Sequence, residues 1–435
     1  MQTAAEIAPK QPQDPPVLSG LAPGVRMELI DTLEQFLALK PHWDELYARD
    51  NHSGYFLSFD WMCETLQAHS GEWRVFAARL GSETQAYIGF FPVRYRLHWS
   101  TSRREFQTEL QPAGRLTLSE RAGFLCDPDQ EDRAIAAIAS KLATLPWVRL
   151  SLRYEPTGNR CSKFLMALPR ERFDAKFRDY RINGGTIDNL VCPQIELPST
   201  FDDFLSQRMS ANSRQKIRRL MRNHLETGEC TITFSNKESF ASDSEVLLQL
   251  WDEQWNQQKG AYRAPLIFQK YKTMQAIAMR LGTLHLPILW RGDEPIAALG
   301  TIADPESGHA YFVLGGRKET THIQNSGLLL HAASIRWAIE NRFKIYDFGH
   351  GNEAYKYSFG AQDVQTYFIT AERRELENGQ RFDPLNLPQA RSRLERFRAK
   401  GHQSDAKHAQ KCIARFEQTH SNSRTIQSAP EFQND

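Results

Sequence analysis

The sequence predicts an α+β protein made of two units, each a mixed, mainly antiparallel twisted sheet flanked by helices. Three observations carry this expectation. The chain has 435 residues, more than one core usually organises, so two packed cores or one core with large additions is expected. Its composition is globular, with 40% hydrophobic, 11% aromatic and 24% charged residues, which leaves only local segments too polar to fold. Finally, the apolar pattern runs strand, helices, hairpin, strand, helix, strand along residues 25–190 and repeats that order along 191–375, without any residue-level repeat.

Residues 1–24, rich in Pro, Gln and small residues, cannot bury enough apolar surface to offset ordering and are expected to be a disordered tail. A strand follows at Val25 to Asp31, then a helix carrying Leu33, Phe36, Leu37, Trp43, Leu46 and Tyr47, and another around Phe59 to His69. Trp73 to Leu80 and Gln85 to Tyr95 are strands joined by the turn-forming Gly81-Ser82-Glu83-Thr84. Ile135, Ile138, Ala139 and Leu142 mark a helix over Gln130 to Thr144, and Trp147 to Tyr154 a strand. In the second unit the expected strands are Gln194 to Leu197, Cys230 to Ser235, Pro287 to Trp290, Pro295 to Ala303, His309 to Leu314, Lys344 to Phe348 and Gln365 to Arg373. Helices are expected over Phe201 to Arg208, Asn212 to Thr227, Ser244 to Gln258, Pro265 to Leu281 and Ser326 to Asn341. Residues 376–435 are expected to be a basic polar tail, partly helical and solvated rather than a dock for an acidic partner.

Charge and cysteine usage exclude several classes. Lys+Arg number 54 against 52 Asp+Glu, so no global field draws the chain to nucleic acid or anionic lipid, and such binding would need a local patch. No window approaches the apolar length that spans a bilayer, and no apolar signal region opens the chain, so a cytoplasmic location is expected. The six cysteines are scattered without a CxxC pair, which speaks against a zinc site or thiol exchange and for reduced structural thiols.

Three segments carry candidate chemistry. In Ser210 to His224, Arg214, Arg218 and Arg222 recur every fourth residue beside an apolar stripe of Ile217, Leu220, Met221 and Leu225. Such a row of guanidinium groups can grip phosphates or carboxylates, and Ser210 or Ser213 can cap the helix. Between Leu314 and Gly327 a strand end passes Gly315 and a polar loop into a helix start with Gln324, Asn325, Ser326 and Gly327, where unpaired backbone N–H groups can hold a pyrophosphate. The densest segment is Lys344-Ile-Tyr-Asp-Phe-Gly-His-Gly-Asn-Glu-Ala-Tyr-Lys-Tyr-Ser-Phe-Gly-Ala361, which gathers Asp347, His350, Glu353, Tyr355, Lys356 and Tyr357 after a strand end. A rigid strand aims such a turn, so its polar groups together are catalytic candidates, although each alone has an ordinary structural use.

These three segments, in this order, resemble the CelD/BcsL-like acyltransferases of the GNAT superfamily, relatives of the Fem peptidoglycan-bridge aminoacyltransferases. The most specific part is Tyr346-Asp-Phe-Gly-His-Gly-Asn-Glu-Ala-Tyr-Lys-Tyr-Ser-Phe-Gly360; the likeness covers about residues 195–375, and Phe56-Leu-Ser-Phe-Asp-Trp61 is similar to the family's first half. The resemblance implies two tandem GNAT-like domains and transfer of an acyl group, most often acetyl, from acyl-CoA as co-substrate to an amine of a sugar, amino acid or peptide, with cell-envelope or exopolysaccharide synthesis as a setting. It implies no permanently bound cofactor and no metal. In such a fold two strands splay, here Tyr311 to Leu314 and Lys344 to Phe348, and main chain between them holds the thioester oxygen. Asp347, His350 or Glu353 is then the base, Tyr355 the acid and Lys356 an electrostatic partner, while Gly315 and Gln324 to Gly327 take the CoA pyrophosphate and Arg214, Arg218 and Arg222 a substrate phosphate or carboxylate. The usual Gln/Arg-x-x-Gly-x-Gly/Ala loop departs here, with Leu329 in its last position. The alternatives are an aminoacyl-tRNA donor, as in the Fem relatives, and a non-catalytic binding module.

Overall fold

The protein is described by a computed structural model over residues 24–81, 86–259, 264–318, 323–374 and 381–427. All but the last residue of the expected N-terminal tail, the 82–85 turn, residues 319–322 of the polar loop and the opening 375–380 of the C-terminal segment lie outside these described residues.

Two mixed sheets with flanking helices form a tandem GNAT-like, α+β arrangement. The first sheet orders its strands as Val25–Ile30, Trp73–Leu80, Tyr87–Ser100, Glu105–Pro112, Arg149–Glu155, Tyr367–Arg373 and Phe173–Phe177. The second runs Thr231–Phe234, Pro287–Arg291, Glu294–Asp304, His309–Arg317, Ile345–Asp347, Val191–Glu196 and Gln362–Gln365. Along each of these orders neighbours are antiparallel except at one place. Glu105–Pro112 lies parallel to Arg149–Glu155, and His309–Arg317 lies parallel to Ile345–Asp347. A parallel pair needs a crossover, which the helices Glu131–Thr144 and Ser326–Glu340 supply. The predicted helices at these places form because apolar residues recur on one face: Ala134, Ile135, Ile138, Ala139 and Leu142 are all buried.

Several elements depart from the sequence expectation. The expected first helix divides into Leu33–Ala38 and Lys40–Arg49, with Pro41 in the opening turn of the second, where its missing N–H is no loss. Strand Glu105–Pro112, helix Gly158–Ala167 and strand Phe173–Phe177 are additional to the expected elements. Strand Tyr367–Arg373, expected to close the second unit, lies inside the first sheet between Arg149–Glu155 and Phe173–Phe177. Its residues Phe368 to Ala371 are buried in succession, as a strand covered on both faces requires. The expected basic tail holds two packed helices, Leu387–Ala399 and Gln403–Gln427. Ala390, Leu394 and Phe397 fall on one face and join Phe382, Ala406, Ala409 and Ile413 in a cluster against Trp99 and Phe106 of the first sheet; the basic residues occupy the outer faces.

A second cluster joins the halves. Trp43, Tyr55, Phe56, Phe59 and Trp61 of the first half pack with Met274, Ile277, Ala278, Ile302 and Tyr311 of the second. Burying each such side chain contributes roughly 1.5–3 kcal/mol. The Phe56 ring meets Tyr311 at 5.3 Å, and the Tyr55 hydroxyl bonds Thr283 at 3.0 Å. The Phe56-to-Trp61 segment is therefore the seam that seats the first half against the base of the second half's parallel strand pair.

Candidate active site

The parallel pair in the second half is laddered for only a short distance. His309 faces Ile345, Ala310 faces Tyr346 and Tyr311 faces Asp347. Beyond that point His309–Arg317 stays paired with Glu294–Asp304, whereas the other chain leans toward Val191–Glu196, with Phe348 N–H donating to Pro193 and Gly351 N–H to Val191. A fork opens between them. Within it the long strand bulges: Gly300 pairs with Leu314 and Thr301 with Phe312, leaving Val313 as the extra residue, which re-aims the local main chain. Gly349 closes the crotch of the fork at φ +67°; a Cβ there would stand 2.9 Å from the Phe312 carbonyl oxygen.

The predicted catalytic residues are brought together by one turn, but they are not equivalent. Asp347 is buried. Its carboxylate accepts from Arg121 at 2.8 Å, from the Gln194 side chain at 2.8 Å and from Gly349 N–H at 2.7 Å, with the His309 Nε2 3.6 Å away. Burial works to raise its pKa, yet Arg121, His309 and the Gly349 N–H outweigh burial and hold it well below the ordinary range. So strongly held a carboxylate is a poor base, and its contacts tie the turn to Arg121 and Gln194. Lys356, expected to face substrate, is turned inward: its ammonium donates to the carbonyls of Gly349, His350 and Gly351 at 3.3, 2.8 and 2.7 Å and pairs with Glu353 at 2.9 Å. It clamps the turn and leaves no donor for a ligand, and the Glu353 carboxylate is engaged by that ammonium.

His350 and Tyr355 remain available. The His350 ring stacks on Tyr154 at 5.0 Å and pairs with Glu120, and its side chain is 41% exposed. Burial raises the Glu120 pKa, but His350, Arg115 and Arg121 more than offset that and keep it ionised. Tyr355 sits beside His331 and Phe348, and burial, with Glu353 and Tyr346 adding to it, pushes its phenol above the ordinary value, so it carries its proton at neutral pH. His331, on the helix that starts the other side of the fork, donates to or accepts from Tyr346 at 3.1 Å; burial lowers its pKa to about 3, so it is neutral.

Across the fork, the helix Ser326–Glu340 begins at Asn325, whose φ of 64° leaves its side chain off the helix end. Asn325 instead accepts from Lys216 at 3.1 Å. Gly327 is open, its would-be Cβ meeting only Arg317 at 3.9 Å, whereas Gly315 is hemmed by Leu299 and Phe312 on the sheet face. Gln324 is exposed and Ser326 buried at this start. The predicted arginine row lies elsewhere: Arg214 reaches the Ser206 carbonyl and Arg218 reaches Asp202, both on the neighbouring helix Phe201–Gln207, and Arg222 is exposed at the following π-turn. Lys216 is the cation that this helix delivers to the fork. Ser210 caps the helix Ala211–Met221 as expected, accepting from Ser213 N–H at 3.2 Å.

The residues missed by sequence reasoning are Glu120 and Arg121 from the first half, Gln194, His309 and His331. Nothing in the spacing of Ser119-Glu120-Arg121 signals a partner more than two hundred positions away; only the packing of the two halves brings them to the turn.

Residues 211–357 match the family model of the acetyltransferase (GNAT) domain, so the fork, the crossover helix and the turn all lie in, or border, the matched segment. Among solved structures, FemX is similar at 11% identity and a TM-score of 0.52, with 76% of this chain and 95% of that one covered; this likeness is one of fold. A tandem GNAT protein from the clavulanic acid biosynthesis pathway aligns at 8% identity and TM-score 0.47 over 81% of this chain and 100% of that one. The L-PGS of Bacillus licheniformis aligns at 11% identity and TM-score 0.44 over 80% and 92%. No curated protein sequence matches. The sequence match thus supports a GNAT-type domain over residues 211–357, and the likeness to FemX supports the fold.

Proposed function

We propose that the protein transfers an acyl group, acetyl in the simplest case, from acyl-CoA to an amine on a sugar, amino acid or peptide. The observation that carries this reading is the fork: main chain from Phe312 to Arg317 that has no strand partner on one side among the described residues, next to a helix start with Lys216 and Arg317 beside it. The helix start and its two cations suit a pyrophosphate, and the bulged strand suits a thioester lying along it, its carbonyl oxygen on a main-chain N–H.

The amine nitrogen attacks the thioester carbon and its proton goes to the His350 imidazole, oriented by Glu120; a C–N bond forms and negative charge gathers on the carbonyl oxygen. Collapse breaks the C–S bond, and the leaving thiolate takes the Tyr355 phenolic proton. Burial favours the neutral phenol, so the proton is in place at neutral pH when the thiolate leaves. Asp347 and Lys356 hold the turn in place.

Thermal denaturation with added acetyl-CoA, followed by transfer assays on Tyr355→Phe, tests this. A ligand that binds only the native state raises its melting temperature; acetyl-CoA is expected to do so, and Y355F to keep that response while losing about 100-fold or more in rate. Absence of any response to acetyl-CoA, with a response to aminoacyl-tRNA, would move the donor to the Fem-type alternative. Unchanged transfer in both Y355F and His350→Gln would leave the turn without a catalytic role.

A further inference from the structure

The fork in the second half has a counterpart in the first. Strands Glu105–Pro112 and Arg149–Glu155 are parallel and pair only at Glu109 with Arg149 and Leu110 with Leu150. After Pro112 the chain turns away through the single helical turn Ala113–Leu116, while the other strand runs on to Glu155. At this opening lies a cavity of about 190 Å³, lined by Arg94, Gln111, Arg115, Ser151 and Arg153 of the first half and by Lys270 on the helix Ala264–Arg280 of the second. A water occupies about 30 Å³, so one tetrahedral anion and a small attached group fit; a nucleic acid strand does not.

Four of the nine lining residues, Arg94, Arg115, Arg153 and Lys270, are basic and none is acidic, while Leu118, Leu266 and Ile267 add an apolar wall. Among the described residues, Glu72 and Glu109 act on Arg94 and Arg115 acts on Glu120; Glu109 is already paired with Arg96 and Glu120 with His350. Among the described residues, the buried Arg94 Nε has no hydrogen-bond partner, and one of its terminal nitrogens reaches the Gln111 side chain at 3.4 Å. Arg153 lies with its guanidinium face against Tyr180 and Phe368, 4.6 and 4.9 Å from the ring centres. That stacking fixes the plane of the group and leaves its in-plane N–H donors for a ligand. Lys270 donates to the Arg115 carbonyl across the cavity wall. Burial, then the charges of Arg94, Arg115 and Arg96 against the single opposing Glu72, pushes the Lys270 pKa down to about 6, and Arg94 is lowered to about 10, mainly by burial. Cations gathered in this way repel one another, and the cluster costs the fold stability unless an anion joins it.

We propose that this cavity is a binding site for a phosphate dianion, free or carried as the phosphoryl group of a small molecule. A planar guanidinium grips two oxygens of such a group at once, and a bound dianion draws the Lys270 amine back to its charged form, so Arg94 and Arg153 with Lys270 and Arg115 match a dianion better than the single charge of a carboxylate. The first half has thus kept the opening of its sheet and lined it for an anion, where the second half offers main chain. The site does not depend on the acyl-transfer reading.

Titration calorimetry and thermal denaturation of the full chain with inorganic phosphate and with phenyl phosphate, against sodium chloride at equal ionic strength, test the proposal. Saturable binding and a melting temperature raised by several degrees beyond the chloride control are expected. Arg153→Gln is expected to weaken binding about tenfold or more while leaving the response to acetyl-CoA unchanged. Lys270→Met is expected to melt higher than the natural protein without ligand, because a buried amine that its surroundings strip of its proton is replaced by an apolar side chain, and to bind phosphate more weakly. Tighter binding of phenyl phosphate identifies a carried phosphoryl group; equal or tighter binding of inorganic phosphate identifies the free ion. A response no larger than that of chloride, or equal affinity in R153Q and the natural protein, overturns the site.

Discussion

Asp347 shows what a single residue's surroundings decide. The sequence places it at a strand end in a polar turn, which makes it a candidate base; Arg121, Gln194, His309 and the Gly349 N–H make it a fixed anion instead. Because its folded-state pKa lies below the ordinary value, it stabilises the fold fully above about pH 4, the unfolded value, and this contribution is lost as pH falls through its folded value. Asp347→Asn is therefore expected to flatten the acid limb of the stability curve, measured as urea midpoints between pH 2 and pH 6; an acid limb as steep as that of the natural protein would contradict the assignment. Arg121→Met leaves the carboxylate buried without its main partner and is expected to cost about 3–5 kcal/mol. Lys356 teaches the same lesson. Its position in the motif is plain in the sequence, but its inward direction is set by three carbonyls that exist only once the turn is folded around Gly349 and Gly351. The partners of both residues were illegible because ion pairs across long separations leave no local pattern.

Elements were more legible than partners. Strands and helices with regular apolar spacing, such as Glu131–Thr144 and Trp73–Leu80, lie where periodicity puts them. The fork, too, lies between the two strands named for it. Glu105–Pro112 was missed although its burial alternates along its whole length, because Glu105, Gln107, Glu109 and Gln111 on its open face mask Phe106, Thr108 and Leu110 on the other. Tyr367–Arg373 was recognised as a strand but assigned to the wrong neighbours, since a buried run identifies a central strand and says nothing about which sheet it enters. The turn carries a prediction at this scale. Gly349 combines a left-handed φ with the near contact to Phe312, so Gly349→Ala is expected to destabilise by about 1–3 kcal/mol and to slow transfer more than a surface change of equal stability cost, because the displaced Phe312 carbonyl belongs to the fork. A variant with natural stability and natural rate would show that the crotch of the fork is not tightly held.

Across the whole molecule the two halves are bound by three separate devices: the aromatic seam from Trp43 to Tyr311, the Arg121–Asp347 and Glu120–His350 pairs, and the return of Tyr367–Arg373 into the first sheet. The tandem architecture was legible as a repeated order of elements; its interlocking was not, because composition and period describe segments rather than their contacts. The near-neutral balance of the chain likewise hid the local concentration of cations around Lys270. With the chain returning to the first sheet after building the second, the halves are expected to unfold together. Tryptophan fluorescence and far-ultraviolet circular dichroism should give coincident urea transitions, and two separated transitions would contradict the interlock.

The fork is the feature on which the functional reading rests, and amide hydrogen exchange addresses it directly. In the free protein, amides between Phe312 and Arg317 that face the fork are expected to exchange faster than those at Ala310 and Tyr311, and acetyl-CoA is expected to slow them together with those at the helix start from Ser326 to Leu329. Exchange already slow throughout Phe312 to Arg317 without ligand, or unaltered there by acetyl-CoA that measurably binds, would contradict the account.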